Sequence, residues 1–544
     1  MIYTDVLVIG AGGAGLRAAI EAAKHNSKIL IITKEPFGTT ATNMAAGGID
    51  AAVAGTTPRQ HFEDTVKAGL SINNRRLVKI LAEEMPDRIA DLISYGVVFD
   101  KLPDGSFYSW TGGKQSAALT LSAGDYIGSA MMRALTAQVR SLQIACFSHH
   151  FVTTLLTDKK RVVGAFVLDE KGKYKVILAK ATVLATGGAG QLYQVTSNPQ
   201  SATGEGYGLA AEAGAELMDM EFIQFHPTGI AFPLLKKGAL VTEKARGHGA
   251  ILRNKNGERF VNELAGRDEL SRAIYREISE GRGTAQGGVF LDVTHWKKGM
   301  AEKIIPAVFR QFMAMGVDIQ KKPMEVAPTA HHSMGGVRIN EWGETNISGL
   351  FACGEAAGGV HGANRLVGNA LAEGQVFGAR AGLKASLFAQ KIKSSSVPLK
   401  QVNSEIKRIE TISKRKPFGF AQGKLGIKPE ELLLQLKKLM WEGVGIIRSK
   451  KALQKAQREL AVLKRQAAKL TAGDISQLKT ALSLRQMLAV AELIITASLI
   501  RTESRGAHFR EDFPQMKKSW QKNIVLYQEN GRLKTKLLKV VKGD

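Results

Sequence analysis

Cysteine is nearly absent from this 544-residue chain. Cys146 and Cys353 are its two cysteines, they lie far apart in sequence, and they form no CxxC pair. Iron–sulfur clusters are held by several cysteine thiolates, and structural zinc sites by four ligands, so two isolated cysteines can build neither. The sequence therefore predicts no metal site, and its low cysteine content fits a reducing compartment.

Long hydrophobic runs are also missing. The most apolar stretch, MLAVAELIITASLI, contains Glu492 and is shorter than the roughly 20 residues of a membrane-spanning helix, so no transmembrane segment is predicted. Proline is scarce, with 14 residues against 57 glycines, while 44% of residues are hydrophobic and 23% charged. These values exclude disordered and collagen-like classes and are typical of enzymes. The length predicts two or three domains.

Acidic residues are too few to balance the basic ones, and the formal net charge is +26. Residues 391–544 hold 33 Lys and Arg against 13 Asp and Glu, so the excess is mainly C-terminal. An anionic membrane surface, an acidic protein partner or a plain solvated surface would each explain it. Nucleic acid is disfavoured because the basic helical segments lack interleaved aromatics.

The N-terminal stretch VLVIGAGGAG follows the G-x-G-x-x-G pattern between an apolar strand and a helix. Such a turn lets backbone N–H groups and the helix N-terminus approach a pyrophosphate, so dinucleotide binding is predicted. The acidic residue that holds a ribose in NAD proteins is missing from ILIITKE, where Thr33 or Lys34 takes its place and Glu35 comes one step late. NAD is therefore not supported.

The rest of the sequence alternates between two patterns: apolar strands followed by glycines, and mixed segments of short strands and helices. ATVLATGGAG is a second apolar run that opens onto glycines, residues 222–335 mix short strands and helices rich in His, Arg and Glu, and NISGLFACGEAAGG returns to strand-then-glycine character. This order predicts a second domain inserted into the first. KIKSSSVPLK is the predicted boundary, the chain from about residue 400 onward is predicted helical, and KRKPFGFAQGK is predicted to be an exposed loop.

Seven ordered motifs carry a family resemblance. They are ATGGAG (185–190), TGEGYG (203–208), QFHPTG (224–229), TEKARGHG (242–249), GRDELSRA (266–273), PTAHHSMGG (328–336) and GLFACGEAAGGVHGANRLVGNALAE (349–373). In this order they resemble the flavoprotein subunits of succinate dehydrogenase and fumarate reductase, a family that includes L-aspartate oxidase. The resemblance implies an α/β fold: a Rossmann-like FAD-binding domain at 1–221 and 347–395, an inserted α+β capping domain at 222–346, and a C-terminal helical region at 396–544.

The resemblance implies FAD as cofactor and assigns its contacts. FGTTATNMAAGGIDAAVAG, a run of small residues from Phe37 to Gly55, resembles the family segment along the pyrophosphate and under the flavin ring, where bulk would displace the cofactor. The implied FAD-binding residues are Gly10, Gly12, Gly13, Ala14, Gly15, Lys34, Thr39, Thr40, Thr42, Gly47, Gly48, Ala185, Thr186, Gly187, Glu205, Glu355, Ala370 and Leu371.

The resemblance also implies a site for a small dicarboxylate. A dianion needs cationic and hydrogen-bonding donors at both ends, and the family's carboxylate-binding set corresponds to His226, Thr242, His331 and Arg365. Arg267 corresponds to the proton donor or acceptor, and Glu243 and Arg246 to the relay that supplies it. A single buried histidine or arginine is more commonly structural, so these roles depend on the matched motifs.

Three positions depart from the family pattern. Ala41 stands where membrane-complex members carry the histidine that binds FAD covalently, so non-covalent FAD is predicted. Thr111, before Gly112-Gly113, stands where L-aspartate oxidases typically have a glutamate; its absence counts against an amino-acid substrate without deciding the matter. His332 stands where the family commonly has tyrosine.

Two activities and one further role remain open. The preferred prediction is fumarate/succinate interconversion, the rival is L-aspartate oxidation, and a third reading is an assembly subunit that only passes electrons. With no cluster-binding cysteines, electrons would come from an iron–sulfur subunit, a thiol system or free reduced flavin. A cytoplasmic location, free or at the inner membrane face within a complex, is predicted.

Overall fold

The computed structural model describes residues 1–53, 55–393, 396–414 and 428–542. Ser394 and Ser395 of the predicted boundary KIKSSSVPLK, and the predicted loop KRKPFGFAQGK from residue 415 onward, lie outside the described residues. The four predicted domain ranges stay predictions, and the elements below show how the chain is built around the site.

Strands and helices alternate through the first two thirds of the chain. The strands are β1 (Ile2–Ile9), β2 (Ile29–Ile32), β3 (Ile49–Asp50), β4 (Ser109–Trp110), β5 (Thr120–Leu121), β6 (Ala145–Phe147), β7 (Phe151–Asp158), β8 (Arg161–Leu168), β9 (Tyr174–Leu184), β10 (Leu217–Met218), β11 (Ile223–Phe232), β12 (Ile251–Arg253), β13 (Val289–Asp292), β14 (Met324–Ser333), β15 (Gly336–Arg338), β16 (Leu350–Ala352), β17 (Ala357–Gly358), β18 (Lys522–Glu529) and β19 (Arg532–Lys539).

The α-helices lie between these strands and, from residue 369 to residue 500, follow one another directly. They are α1 (Gly13–Ala23), α2 (Pro58–Ala68), α3 (Arg75–Ser94), α4 (Ile127–Ser141), α5 (Glu205–Glu212), α6 (Glu243–Gly247), α7 (Arg267–Ser279), α8 (Met300–Ile304), α9 (Pro306–Ala314), α10 (Asn369–Gln390), α11 (Leu399–Lys414), α12 (Pro429–Gly443), α13 (Lys450–Ala467) and α14 (Ile475–Ile500).

The largest sheet has the order β6-β2-β1-β9-β8-β7, with β16 also paired to β9. The pairs β1–β2, β1–β9, β2–β6 and β9–β16 are parallel, and β7–β8 and β8–β9 are antiparallel. Val6, Leu7 and Val8 of β1 are fully buried because this strand lies inside the sheet with helices on its faces. The Rossmann-like α/β prediction is confirmed.

A four-stranded antiparallel sheet, β11-β14-β13-β12, forms a second layer. Its apolar residues build a separate core with those of α7, α8 and α9, including Leu270, Ile274, Leu291 and Phe312. This α+β unit is the predicted insertion, and β11, β14 and α7 bring its polar face to the cofactor domain. β15, inside the predicted 222–346 range, instead pairs with β10 and β17 in a third sheet.

The chain beyond residue 400 is helical only to Ile500, so the helical prediction for its last part is wrong. β18 and β19 form an antiparallel hairpin joined at Asn530-Gly531, whose φ angles are +51° and +71°. An Asn-Gly pair accepts this left-handed conformation, which matches the twist of the strands it joins. The signal was present in the sequence, as an Asn-Gly pair between two strand-forming runs.

Helix α14 is long and apolar enough to cross a membrane by length and composition, and 61% of its apolar window is buried inside the protein. Leu484, Met487 and Ile494 belong to the main hydrophobic core. A helix buried in a protein core passes the same test of length and composition. Passing this test is therefore weak evidence that α14 spans a membrane.

Candidate functional site

The turn from β1 into α1 is built by two close backbone approaches. Gly10 has φ +110°, and a Cβ there would lie 2.2 Å from the carbonyl oxygen of Ala185. A Cβ on Gly15 would lie 2.0 Å from the carbonyl oxygen of Gly10. A larger residue at either position would push α1 away from the sheet. The glycines thus set the N-terminus of α1 against the end of β9, where the main cavity begins.

This cavity has a volume of about 290 Å³ and runs from the glycine turn to the face of the second layer. Most sequence-predicted residues line it: Gly10, Gly12, Gly13, Ala14, Lys34, Thr40, Thr42, Gly47, Gly48, Ala185, Thr186, Gly187, Glu205, His226, Thr242, Glu243, Arg267, His331, Glu355, Arg365, Ala370 and Leu371. Gly15, Thr39 and Arg246 are not part of the lining. Gly15 packs behind the turn, and Arg246 lies behind Glu243.

The cavity wall near α1 fits a dinucleotide. A Cβ atom added at Gly12, Gly47 or Gly187 would have no protein atom closer than 3.6 Å, so the space in front of these glycines is open. Buried Oγ1 of Thr186 and Oε1 of Gln375, both in the wall, have no hydrogen-bond partner in the described part of the chain. Free polar atoms and small residues around a helix N-terminus suit a phosphate-bearing cofactor.

One end of the cavity carries a charged pair. Nζ of Lys34 donates to Oε2 of Glu205 at 2.6 Å and to Oγ1 of Thr203 at 2.9 Å. The hydroxyl of Ser483, on α14, makes a short hydrogen bond to the other oxygen of Glu205. Lys34 occupies the position after β2 where NAD proteins carry an acid, and here it fixes Glu205 at the start of α5.

The small-residue loop closes over the turn. Its one helical turn, Ala41–Met44, is capped by Thr40, and Oγ1 of Thr42 accepts a 3.0 Å hydrogen bond from the backbone N–H of Gly13. Ala41 faces the same cavity. The loop is therefore held to the glycine turn by a hydroxyl, and the residue at 41 carries no nucleophile.

Two histidines face each other at the opposite end. The rings of His226, on β11, and His331, on β14, have centroids 5.3 Å apart and are inclined by 67°. Nδ1 of His226 accepts a 3.3 Å hydrogen bond from the N–H of Thr228, so the proton of a neutral His226 sits on Nε2. Nδ1 of His331 lies 2.9 Å from the hydroxyl of Ser197.

Arg267 begins α7 and lies beside these histidines. Its Nε donates to Oε2 of Glu243 at 2.8 Å, and its Nη1 donates to Oε1 of Gln224 at 2.9 Å. Nη2 of Arg246 lies 3.3 Å from the same carboxylate oxygen, and the N–H of Gly113 donates to the other oxygen at 2.9 Å. Both Glu243 oxygens are thus engaged, and the structure brings the predicted proton donor or acceptor, Arg267, together with the two predicted relay residues, Glu243 and Arg246.

Burial and charge set the protonation states. Burial alone would raise the pKa of Glu243, but the positive charges of Arg267 and Arg246 lower it to about 2. Burial lowers the pKa values of His226 and His331 well below their usual range, with Arg267 adding to the effect. Burial, and then the charge of Arg267, lowers the pKa of Arg365 to about 9. The site holds neutral imidazoles beside a crowded set of guanidinium groups.

Gln224 and Ser197 were missed from the sequence. Gln224 stands two residues before His226 on β11, and alternate residues of a strand face the same side, so the quoted motif could have revealed it. Ser197 is brought to His331 only by the fold, and no local signal in the sequence marks it.

The comparisons with known proteins agree with this geometry. Residues 5–371 match the family model described as FAD binding domain, and residues 434–541 match the one described as fumarate reductase flavoprotein C-term. The chain is 44% identical to a chain of the fumarate reductase (CoM/CoB) of Methanothermobacter marburgensis, over 96% of both chains. It is 34% identical to L-aspartate oxidase of Streptomyces coelicolor, over 96% of this chain and 91% of the other.

A solved structure extends the comparison to the fold. The FrdA chain of E. coli quinol fumarate reductase superposes with a TM-score of 0.93 and 32% identity, covering 100% of this chain and 97% of that one. The cavity around the glycine turn is an FAD site, and FAD is the cofactor. The chain therefore belongs to the flavoprotein family of succinate dehydrogenase and fumarate reductase, which includes L-aspartate oxidase.

Proposed function

We propose that this chain is the flavoprotein subunit of a fumarate reductase, interconverting fumarate and succinate with non-covalently bound FAD. The observation that carries the proposal is the charge pattern at the histidine end of the cavity. Arg267, Arg365 and two imidazoles line it, while Glu243 there is held by two arginines and a backbone N–H. Such an end attracts a dianion, and the carboxylate of Glu243 is already engaged by these partners and is not offered to a substrate ammonium.

The donors suit the two carboxylates of one small substrate. Nε2–H of His226 is free to meet a substrate, because Nδ1 accepts the hydrogen bond from Thr228 on the same strand. The guanidinium of Arg365 donates a hydrogen bond to the carbonyl oxygen of Leu366, and its Nε is buried without a partner in the described part of the chain. Arginine binds planar carboxylates through two parallel hydrogen bonds. Arg365 and His226 therefore act as substrate ligands, with His331 and Thr242 beside them.

The reaction needs one hydride and one proton on adjacent carbons. FAD, when bound, supplies the hydride chemistry. Arg267 holds the proton that the other carbon takes, and its contact with Glu243 gives a path for proton return through Arg246. Guanidinium groups release protons reluctantly, and the carboxylate of Glu243, 2.8 Å from Nε of Arg267, holds the group in place for this step.

L-Aspartate oxidation is the competing activity, because relatives of both names align along nearly the whole chain. An enzyme that selects an amino acid needs a carboxylate near the ammonium. Thr111 stands where the oxidases typically carry one, and it adjoins Gly112 and Gly113, next to Glu243. This position favours the unsubstituted dicarboxylate.

The electron donor is proposed to be a separate iron–sulfur subunit. Cys353 is buried and Cys146 half-buried, and two cysteines cannot hold a cluster. Burial raises the pKa of Cys146 to about 11, so it is not a reactive thiolate. The basic C-terminal part offers a surface for such a partner, either in the cytoplasm or at the inner face of a membrane.

One pair of assays tests the activity. Purified protein loaded with FAD is given fumarate with a reduced viologen, and separately L-aspartate with oxygen. Viologen oxidation without hydrogen peroxide formation from aspartate is expected. Peroxide and iminoaspartate from aspartate, with no fumarate reduction, would replace this proposal by the oxidase, and failure of both substrates would remove both.

A further inference from the structure

His332 is the departure from the family pattern that the proposed reaction does not use. It follows His331 on β14 at a β-bulge, where Gln224 pairs with His332 and Phe225 with Ala330, and both histidines line the main cavity. His331 turns to His226, whereas the ring of His332 lies 5.2 Å from the ring of His361 at 73°. Nε2 of His361 in turn lies 2.8 Å from Oε2 of Glu373, on α10.

These three side chains form a buried cluster with unused polar atoms. His332, His361 and Glu373 are respectively 5%, 2% and 1% exposed. Nε2 of His332, Nδ1 of His361 and Oε1 of Glu373 each lack a hydrogen-bond partner among the described residues. One potential ligand atom from each residue lies within 4.8 Å of the others. Leaving three such atoms unsatisfied costs stability unless something binds them.

A second carboxylate lies beside the cluster. Oε1 of Glu355 lies 3.5 Å from Nδ1 of His332, on the far side of the ring from the unpartnered Nε2. A carboxylate behind a histidine in this way orients and strengthens metal-binding imidazoles. Across the described ranges, neither Glu355 nor Glu373 has a lysine or arginine nitrogen within 4.0 Å. The carboxylates of buried Glu373 and half-buried Glu355 thus lack a directly paired cationic side chain in the described part of the chain.

We propose that His332, His361 and Glu373 bind one divalent transition-metal ion of the zinc class. Two imidazole nitrogens and one carboxylate oxygen are a ligand set that zinc uses with a fourth ligand, commonly water. The ligands come from β14, from the loop after β17 and from α10, so the ion would tie the second layer to the helix beside the FAD site. The prediction of no metal site considered only the two isolated cysteines, and the fold now brings together three ligand residues that are distant in sequence.

The test is metal content of untagged, FAD-loaded protein. The protein is stripped with a chelator, titrated with Zn²⁺, dialysed and analysed for zinc and flavin. Wild type and the control His295→Tyr, which changes an exposed histidine outside the cluster, are expected to retain about one Zn²⁺ per chain. His332→Tyr and Glu373→Gln are each expected to bind zinc at least about tenfold more weakly.

Two results would overturn the site. If the wild-type protein retains no zinc, the site does not exist. If wild type and His332→Tyr retain equal amounts of zinc, the metal binds elsewhere. Circular dichroism and flavin content show whether each variant is folded. If His332→Tyr does not fold, two other measurements decide: zinc binding by Glu373→Gln and the visible spectrum of wild type loaded with Co²⁺. Ligand-field bands without thiolate charge transfer support the site. A thiolate charge-transfer band would assign the ion to a cysteine and contradict the site.

Discussion

Nε of Arg267 donates a 2.8 Å hydrogen bond to Oε2 of Glu243, and the residues are 8% and 5% exposed. The carboxylate belongs to the first residue of α6 and the guanidinium to the first residue of α7, so two helix N-termini meet at this bond. Gln224 holds the other arm of the guanidinium. The proton-bearing group is thus fixed from two sides, with its remaining nitrogen left for the cavity.

Arg267→Lys should abolish most fumarate reduction while keeping FAD. A lysine has one nitrogen and cannot bond Glu243 and Gln224 in the same planar arrangement. We expect turnover to fall about 10²–10⁴-fold, the usual range for losing a positioned acid or base. Viologen-linked turnover and flavin content of the purified variant measure this. Arg276→Lys, on an exposed position of the same helix, is the matched control; equal loss in both variants would contradict a chemical role for Arg267.

Glu243→Gln should change how stability depends on acid. The pKa of Glu243 is lowered from 4.5 to about 2, so its ionised form adds stability that is fully present above pH 4.5 and is lost as the pH falls from 4.5 toward 2. The wild-type and variant thermal midpoints should differ most above pH 4.5 and converge below it. Differential scanning fluorimetry from pH 3 to pH 8 measures the midpoints, and a pH-independent gap would contradict the assignment.

The features that depend on neighbouring residues in the chain could be predicted from the sequence. The strand, glycine turn and helix around Gly10 depend on neighbouring residues, so the motif alone was sufficient. The catalytic and substrate-binding residues lie in five distant motifs, and only the family resemblance linked them. The pairing of Ser197 with His331 and that of His332 with His361 arise from tertiary packing, which no spacing rule describes. The terminal hairpin was missed although Asn530-Gly531 marks it.

Ser197→Ala should weaken substrate binding more than turnover. The hydroxyl lies 2.9 Å from Nδ1 of His331 and sets the ring's orientation and tautomer. Loss of one such hydrogen bond is worth about 1 kcal/mol, so KM for fumarate should rise about fivefold with kcat changed less. Steady-state kinetics separate the two constants. Ser476→Ala, at the exposed start of α14, should leave both unchanged, and a fall in kcat alone for Ser197→Ala would argue against a binding role.

Ala41 predicts that FAD binds reversibly. Because this residue offers no nucleophile to the flavin, acid-precipitated and washed protein should be colourless, with all FAD in the supernatant. A ligand that dissociates stabilises the folded protein by an amount that grows with its free concentration, about 2.7 kcal/mol at 100 times Kd. The thermal midpoint should therefore rise as FAD is added to stripped protein. A yellow pellet would show a covalent bond formed through another residue, and a midpoint that does not change with free FAD would contradict reversible binding.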